Sequence, residues 1–79
     1  MTTRTRQVVL ATITGPLVSL SPVDNGSGLS PYDVRDLARR AGADPKSTTR
    51  TTFIRLGELA DLEAYAELRG VVVVRRRPP

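Results

Sequence analysis

The sequence predicts a small α+β domain in which a single sheet, built in the order ββαβαβ, packs with one or two helices. Three observations carry this expectation. Stretches rich in β-branched residues at 7–20, 51–56 and 71–74 have the chemistry of strands. Those at 31–41 and 58–69 repeat apolar residues every three or four positions, the spacing of a helix buried along one side. A chain of 79 residues with 39% hydrophobic content suffices for one core and no more.

Gln7–Thr14 alternates Val9, Ala11 and Ile13 on one face with Val8, Leu10 and Thr12 on the other. Both faces are largely apolar, so a well-covered strand is expected. Gly15-Pro16 interrupts the run before Leu17–Leu20 resumes it. A leading glycine suits a two-residue hairpin turn, the favoured reading, while Pro16 suits its second position less well and leaves a kinked single strand as the alternative. Ser21–Gly28 is a loop by its Pro, Asp, Asn and Gly content. Its Asn25-Gly26-Ser27 matches a glycosylation acceptor, and Asp24 with Asn25 begins a calcium-loop pattern whose further ligands are missing. The expected role of this segment is a turn, with no metal and no cofactor.

The first helix is marked at both ends. Ser30 is a suitable N-cap, Pro31 fits the first helical position, and Asp33 completes a capping box. Val34, Leu37, Ala38 and Ala41 form its apolar stripe, Arg39 and Arg40 complement the dipole in the last turn, and Gly42 stops it. After the polar stretch 43–50, Thr51–Leu56 reads as a strand with Thr52, Ile54 and Leu56 on one side. A second helix over 58–69 places Leu59, Leu62 and Ala66 in a stripe that Leu56 leads into; Glu58 and Asp61 begin it and Gly70 ends it. Val71–Val74 then has the continuous β-branched character of a strand buried on both faces. The expected organisation is a basic N-terminal arm at 1–6, one domain at 7–76 and a tail at 77–79.

This order, with a C-terminal strand at the centre of the sheet, resembles the β-grasp (ubiquitin-like) arrangement across residues 7–76. The resemblance rests on element order and identifies no specific family. It implies parallel first and last strands, and the end Arg75-Arg76-Arg77-Pro78-Pro79 lacks the Gly-Gly of conjugated members. A second, partial resemblance lies at 36–50, where Ala38, Gly42, Leu37 and Ala41 hold the places of the small, turn and core residues of a bacterial helix-turn-helix. It implies a second helix from Pro45 that presents Lys46, Ser47, Thr49 and Arg50 to DNA, with Arg39, Arg40 and Arg55 on phosphates. The anchors of that helix fall at Thr48 and Thr51, and the threonine-dense run 48–52 favours extended chain.

The chain has no His, Cys or Trp. Histidine bases, cysteine nucleophiles, disulfides and His/Cys zinc sites are thereby excluded. The remaining acid/base candidates are Asp24, Asp33, Asp36, Asp44, Glu58, Asp61, Glu63 and Glu67. Asp33 is committed to capping, and Glu63 and Glu67, four apart, are expected on a solvated helix face. Phosphate-cradling glycine motifs are missing as well, so no enzyme is expected. The longest apolar run, Val71–Val74, is far short of the ~20 residues that span a bilayer. Met1–Arg6 is basic like the start of a leader, yet Thr12, Thr14, Gly15, Pro16 and Ser19 break up the segment behind it. Secretion by a signal peptide and membrane association are not expected.

Net charge is +4, with basic ends (Arg4, Arg6; Arg75, Arg76, Arg77) and an acidic stretch at 58–69. Antiparallel terminal strands would join the two arginine clusters into one patch, whereas parallel strands would separate them to contact different neighbours. Aromatic residues are confined to Tyr32, Phe53 and Tyr65, little apparatus for stacking on single-stranded nucleic acid. The expected function is a non-catalytic binding or assembly module, oligomeric, with its arms Arg4, Arg6, Arg75, Arg76 and Arg77 on protein partners, either self or other particle subunits. Arginine so outnumbers lysine (Lys46 alone) that a GC-rich source is expected, such as an actinobacterial phage with this chain as a capsid-associated or connector protein in the host cytoplasm or virion. The alternatives are a helix-turn-helix DNA-binding regulator using 34–55 and an adaptor that binds a host protein through the acidic helix 58–69.

Overall fold

A computed structural model describes residues 6–47 and 51–77. Its elements are β1 (Gln7–Thr14), β2 (Leu17–Pro22), α1 (Pro31–Arg40), β3 (Lys46–Ser47), β4 (Thr52–Arg55), a 3-10 turn (Leu56–Glu58), α2 (Leu59–Leu68) and β5 (Val71–Arg76). The expected α+β class is the one found. The strands form one mixed sheet in the order β3-β4-β2-β1-β5.

β1 and β2 make the expected hairpin, with Thr14 opposite Leu17 across Gly15-Pro16. Gly15 takes a φ of 70°, the left-handed value required at the first position of such a turn, and the ring of Pro16 supplies the negative φ of the second. Proline also ends β2 without leaving a bond unmade. The Val23 N–H donates to Val8 O at 2.9 Å, so the preceding residue's nitrogen points away from β1, where the pairing with β4 has already stopped at Leu20.

α1 has the cap read from the sequence. The Asp33 N–H donates to Ser30 Oγ at 3.2 Å, and the Ser30 N–H donates back to Asp33 Oδ2 at 2.9 Å. Val34, Leu37 and Ala38 face inward. In α2 the buried line is Leu59, Leu62 and Ala66, as the spacing predicts. Leu56 does not continue it: it opens the 3-10 turn and is 43% exposed, because its N–H turns back to Pro16 O at the hairpin tip.

Where the strand order departs from expectation, the cause is long-range pairing. β5 does run parallel to β1, from Gln7 opposite Val71 to Thr12 opposite Arg76. It lies at the edge of the sheet, with β1 as its one neighbour, and is not the central strand of a β-grasp sheet. Accordingly Val71–Val74 is not buried on both faces: Val71 is buried, Val72 and Val73 are half-buried, and Val74 is 44% exposed. The second helix of a helix-turn-helix is also missing among the described residues. Lys46–Ser47 and Thr52–Arg55 are extended and paired with each other, as the threonine-rich sequence favours, while 48–50 lie outside the described residues.

The core is one cluster on one side of the sheet. Val9, Ala11, Val18, Leu20, Ile54 and Val71 turn to the same face and meet Val34, Leu37 and Ala38 of α1 and Leu59, Leu62 and Ala66 of α2. α1 packs over β2 and β4, and α2 over β5 and α1. Replacing fully buried Leu62 by Ala should cost about 2–5 kcal/mol in urea unfolding, whereas Leu68→Ala, at a position 83% exposed, should stay within about 0.5 kcal/mol of wild type.

Candidate functional site

With both helices on one face, the other face of the sheet has no covering layer among the described residues. Strand alternation and register assign its side chains. Val8 lies beside Val72, and Leu10 lies between Val74 and Ser21. The next row runs Lys46, Phe53, Ser19, Thr12, Arg76 across all five strands. Leu17 stands between Arg55 and Thr14 at the hairpin end. None of these residues is buried; most are half-exposed, and Leu17 and Val74 are 45% and 44% exposed. β1 is thus covered on one face and not on both, contrary to the expectation from its apolar alternation.

The charge that the strands carry on this surface is of one sign. Lys46, Arg55 and Arg76 project from it, and none of the chain's eight acidic residues lies in a strand. The acids are on the helices or in connections. Leu17, Asp44, Lys46, Phe53, Ile54 and Arg55 line a groove of about 410 Å³ at the β3–β4 end, so one carboxylate stands beside its two cations.

Two carboxylates hold the framework around this face. Glu58 accepts the Arg55 N–H at 2.9 Å and the Asp44 N–H at 3.0 Å, tying the end of β4 and the 43–45 connection to the start of α2. The Arg55 amide first and the Asp44 amide second hold its carboxyl below the ordinary value, against a smaller opposing effect of burial. Glu63 of α2 grips Arg75 of β5 in a fork, with Nε to Oε2 at 2.9 Å and Nη2 to Oε1 at 2.5 Å. That bond lowers the Glu63 carboxyl and raises the Arg75 guanidinium.

The arginines expected to form arms have different placements. Arg75 and Arg76 belong to β5: Arg75 turns to the helix side and is bound by Glu63, and Arg76 turns to the uncovered face. Because β1 and β5 are parallel, Arg6 before β1 and Arg75–Arg77 at the end of β5 lie at opposite ends of the sheet and make no single patch. Arg4 lies outside the described residues.

The set assigned to DNA is divided as well. Arg39 and Arg40 end α1, with Arg40 held by Asp36 at 2.8 Å, whereas Lys46 and Arg55 are on the far side of the sheet. Ser47 is in β3, and Thr49 and Arg50 lie outside the described residues. Asn25 takes the expected turn: its Oδ1 accepts the Ser27 N–H at 3.2 Å, and its Nδ2 donates to Arg6 O at 3.0 Å. Among the described residues no three Asp or Glu side chains gather as a metal site would require.

Comparison with protein-family models, with curated proteins and with solved structures finds no match to this chain.

Both carboxylates titrate lower in the folded chain than their ordinary value of 4.5. The stability they contribute is therefore complete above about pH 4.5 and is lost as pH falls through the lowered folded values. Glu58→Gln should unfold more easily at neutral pH, by about 1 kcal/mol for lost charge-assisted bonds to backbone amides. It should also lose less stability than wild type on acidification, as followed by urea unfolding between pH 7 and about pH 3.

Proposed function

We propose that the chain is a non-catalytic binding and assembly module that docks protein through the uncovered face of its sheet. The observation that carries this reading is the combination on one surface of half-exposed Val8, Leu10, Val72, Val74, Phe53 and Leu17 with cations and no strand-borne acid. An aliphatic sheet face left open to water is costly unless a partner takes it up. Its one aromatic residue, Phe53, and its aliphatic centre suit a protein surface better than nucleotide bases, which bind by stacking on several rings.

The cations at its margins select for partners bearing acidic groups and speed encounter with them. Membership of a particle, such as that of an actinobacterial phage, is supported by the Arg-dominated composition alone.

An anionic naphthalenesulfonate dye tests the docking surface without the natural partner. The native chain, dilute and at neutral pH, should enhance its fluorescence, and the double variant Leu17→Asp, Val74→Asp should reduce that enhancement several-fold while circular dichroism stays unchanged. A native protein that leaves the dye dark, or a variant that binds it equally well, would remove the proposal.

A further inference from the structure

α2 has a feature that the single chain does not use. The outward positions of α1 carry Tyr32, Arg35, Asp36 and Arg39, as expected of a helix with one buried side. On α2 the residues opposite the buried Leu59, Leu62 and Ala66 are Ala60, Ala64 and Leu68, spaced four apart and all exposed, with Leu68 at 83%. At 100° per residue, Asp61 and Glu67 border this line on its two sides. Both are exposed, and neither has an ion pair among the described residues. A helix that is apolar on two sides has the pattern of one covered twice.

The molecule therefore carries two uncovered apolar surfaces on opposite sides, and their charges are complementary. One is the outward line of α2, edged with carboxylates. The other is the open sheet face, edged with Lys46, Arg55 and Arg76.

Building on the docking role proposed for that face, we infer that α2 of one copy packs on the open sheet face of the next, giving a head-to-tail assembly of identical chains. Helix against sheet is the packing the fold already uses on its covered side. Asp61 and Glu67 supply anions to the cations of the strands, and Ala60 and Ala64 let the helix approach closely. The neighbouring α1 does not compete for the site. Arg35, Arg39 and Arg40 outnumber its Asp33 and Asp36, so against a cationic face it is repelled. Glu63 does not take part either, since Arg75 already holds it. Such a contact is heterologous: each copy offers one surface and receives on the other, and growth ends when a ring closes or continues as a filament.

Sedimentation velocity of the full chain over a range of concentration should show species larger than a dimer, which dissociate as salt is raised. The face variant Val74→Asp, Arg76→Glu and the helix variant Ala64→Gln, Leu68→Gln, which keeps Asp61 and Glu67 and so is repelled by the altered face, should each weaken self-association by at least about tenfold and sediment as monomers. Mixed together they should form a 1:1 heterodimer that grows no further, because one retains the helix surface and the other the sheet surface. A two-fold contact, such as β5 pairing with β5 of a second copy, does not give this capped product.

Wild-type chain that stays monomeric at every concentration overturns the assembly. If it still binds the naphthalenesulfonate dye, the docking role survives and the occupant is a different protein; if it does not, both readings fall. Assembly that persists in either variant, or variants that stay monomeric when mixed, equally overturns it.

Discussion

Val9 and Ala11, both fully buried in β1, turn to the same side of the sheet as Val18, Leu20, Ile54 and Val71, and no described strand sends a buried residue to the other side. That one-sided burial is the constraint the architecture obeys. A chain of this length has apolar residues enough for a single interior layer, and they are gathered where two helices can reach them. β4 and β5 run in the same direction with β2 and β1 between them, so the connection must cross one face of the sheet, and α2 ends it packed on β5 and α1. Its Leu59, Leu62 and Ala66 direct that crossover to the side already chosen by β1.

The distribution of charge follows the same division into layers. Helices and connections take the acids, where they cap, clamp and pair: Asp33 on Ser30, Glu58 on two backbone amides, Asp36 on Arg40 and Glu63 on Arg75. The strands take none, and the cations they carry are left to solvent on the open face, except Arg75. The interactions that steady the monomer thus leave the open face with unpaired cations, while the helix side holds acids and arginines together. A cationic face of this kind is suited to orienting an acidic partner before contact is made.

What the sequence discloses and what it withholds divide along the range of the interactions involved. Ser30, Pro31, Asp33 and Gly42 specify α1 by contacts within a few residues, and Gly15-Pro16 specifies the hairpin in the same way, so both are legible. The Leu59, Leu62, Ala66 stripe is legible because helical period is local. The Val71–Val74 run announces a strand but not its neighbours, and its placement at the edge is decided by pairing with β1 at the other end of the chain. Glu58 looks like an ordinary first-turn acid until the fold brings Asp44 N–H to it across fourteen residues of chain. The open face is hidden for the same reason: Lys46, Phe53, Ser19, Thr12 and Arg76 form one row only through register between strands far apart in sequence. Apolar alternation in β1 had one further meaning, since a face left free for a partner reads the same as a face buried in the monomer.

The parallel pairing of β1 with β5 has a consequence for the birth of the molecule. The hairpin strand β2 leaves the ribosome almost at once after β1, but the strand that closes the other side of β1, Val71–Arg76, is made only after two helices and two further strands have followed. At roughly 5–20 residues per second of translation, one edge of β1 waits seconds for its mate. During that interval a nascent chain displays Val8 to Ile13 as an unsatisfied template, and neighbouring ribosomes on one message hold identical templates close together.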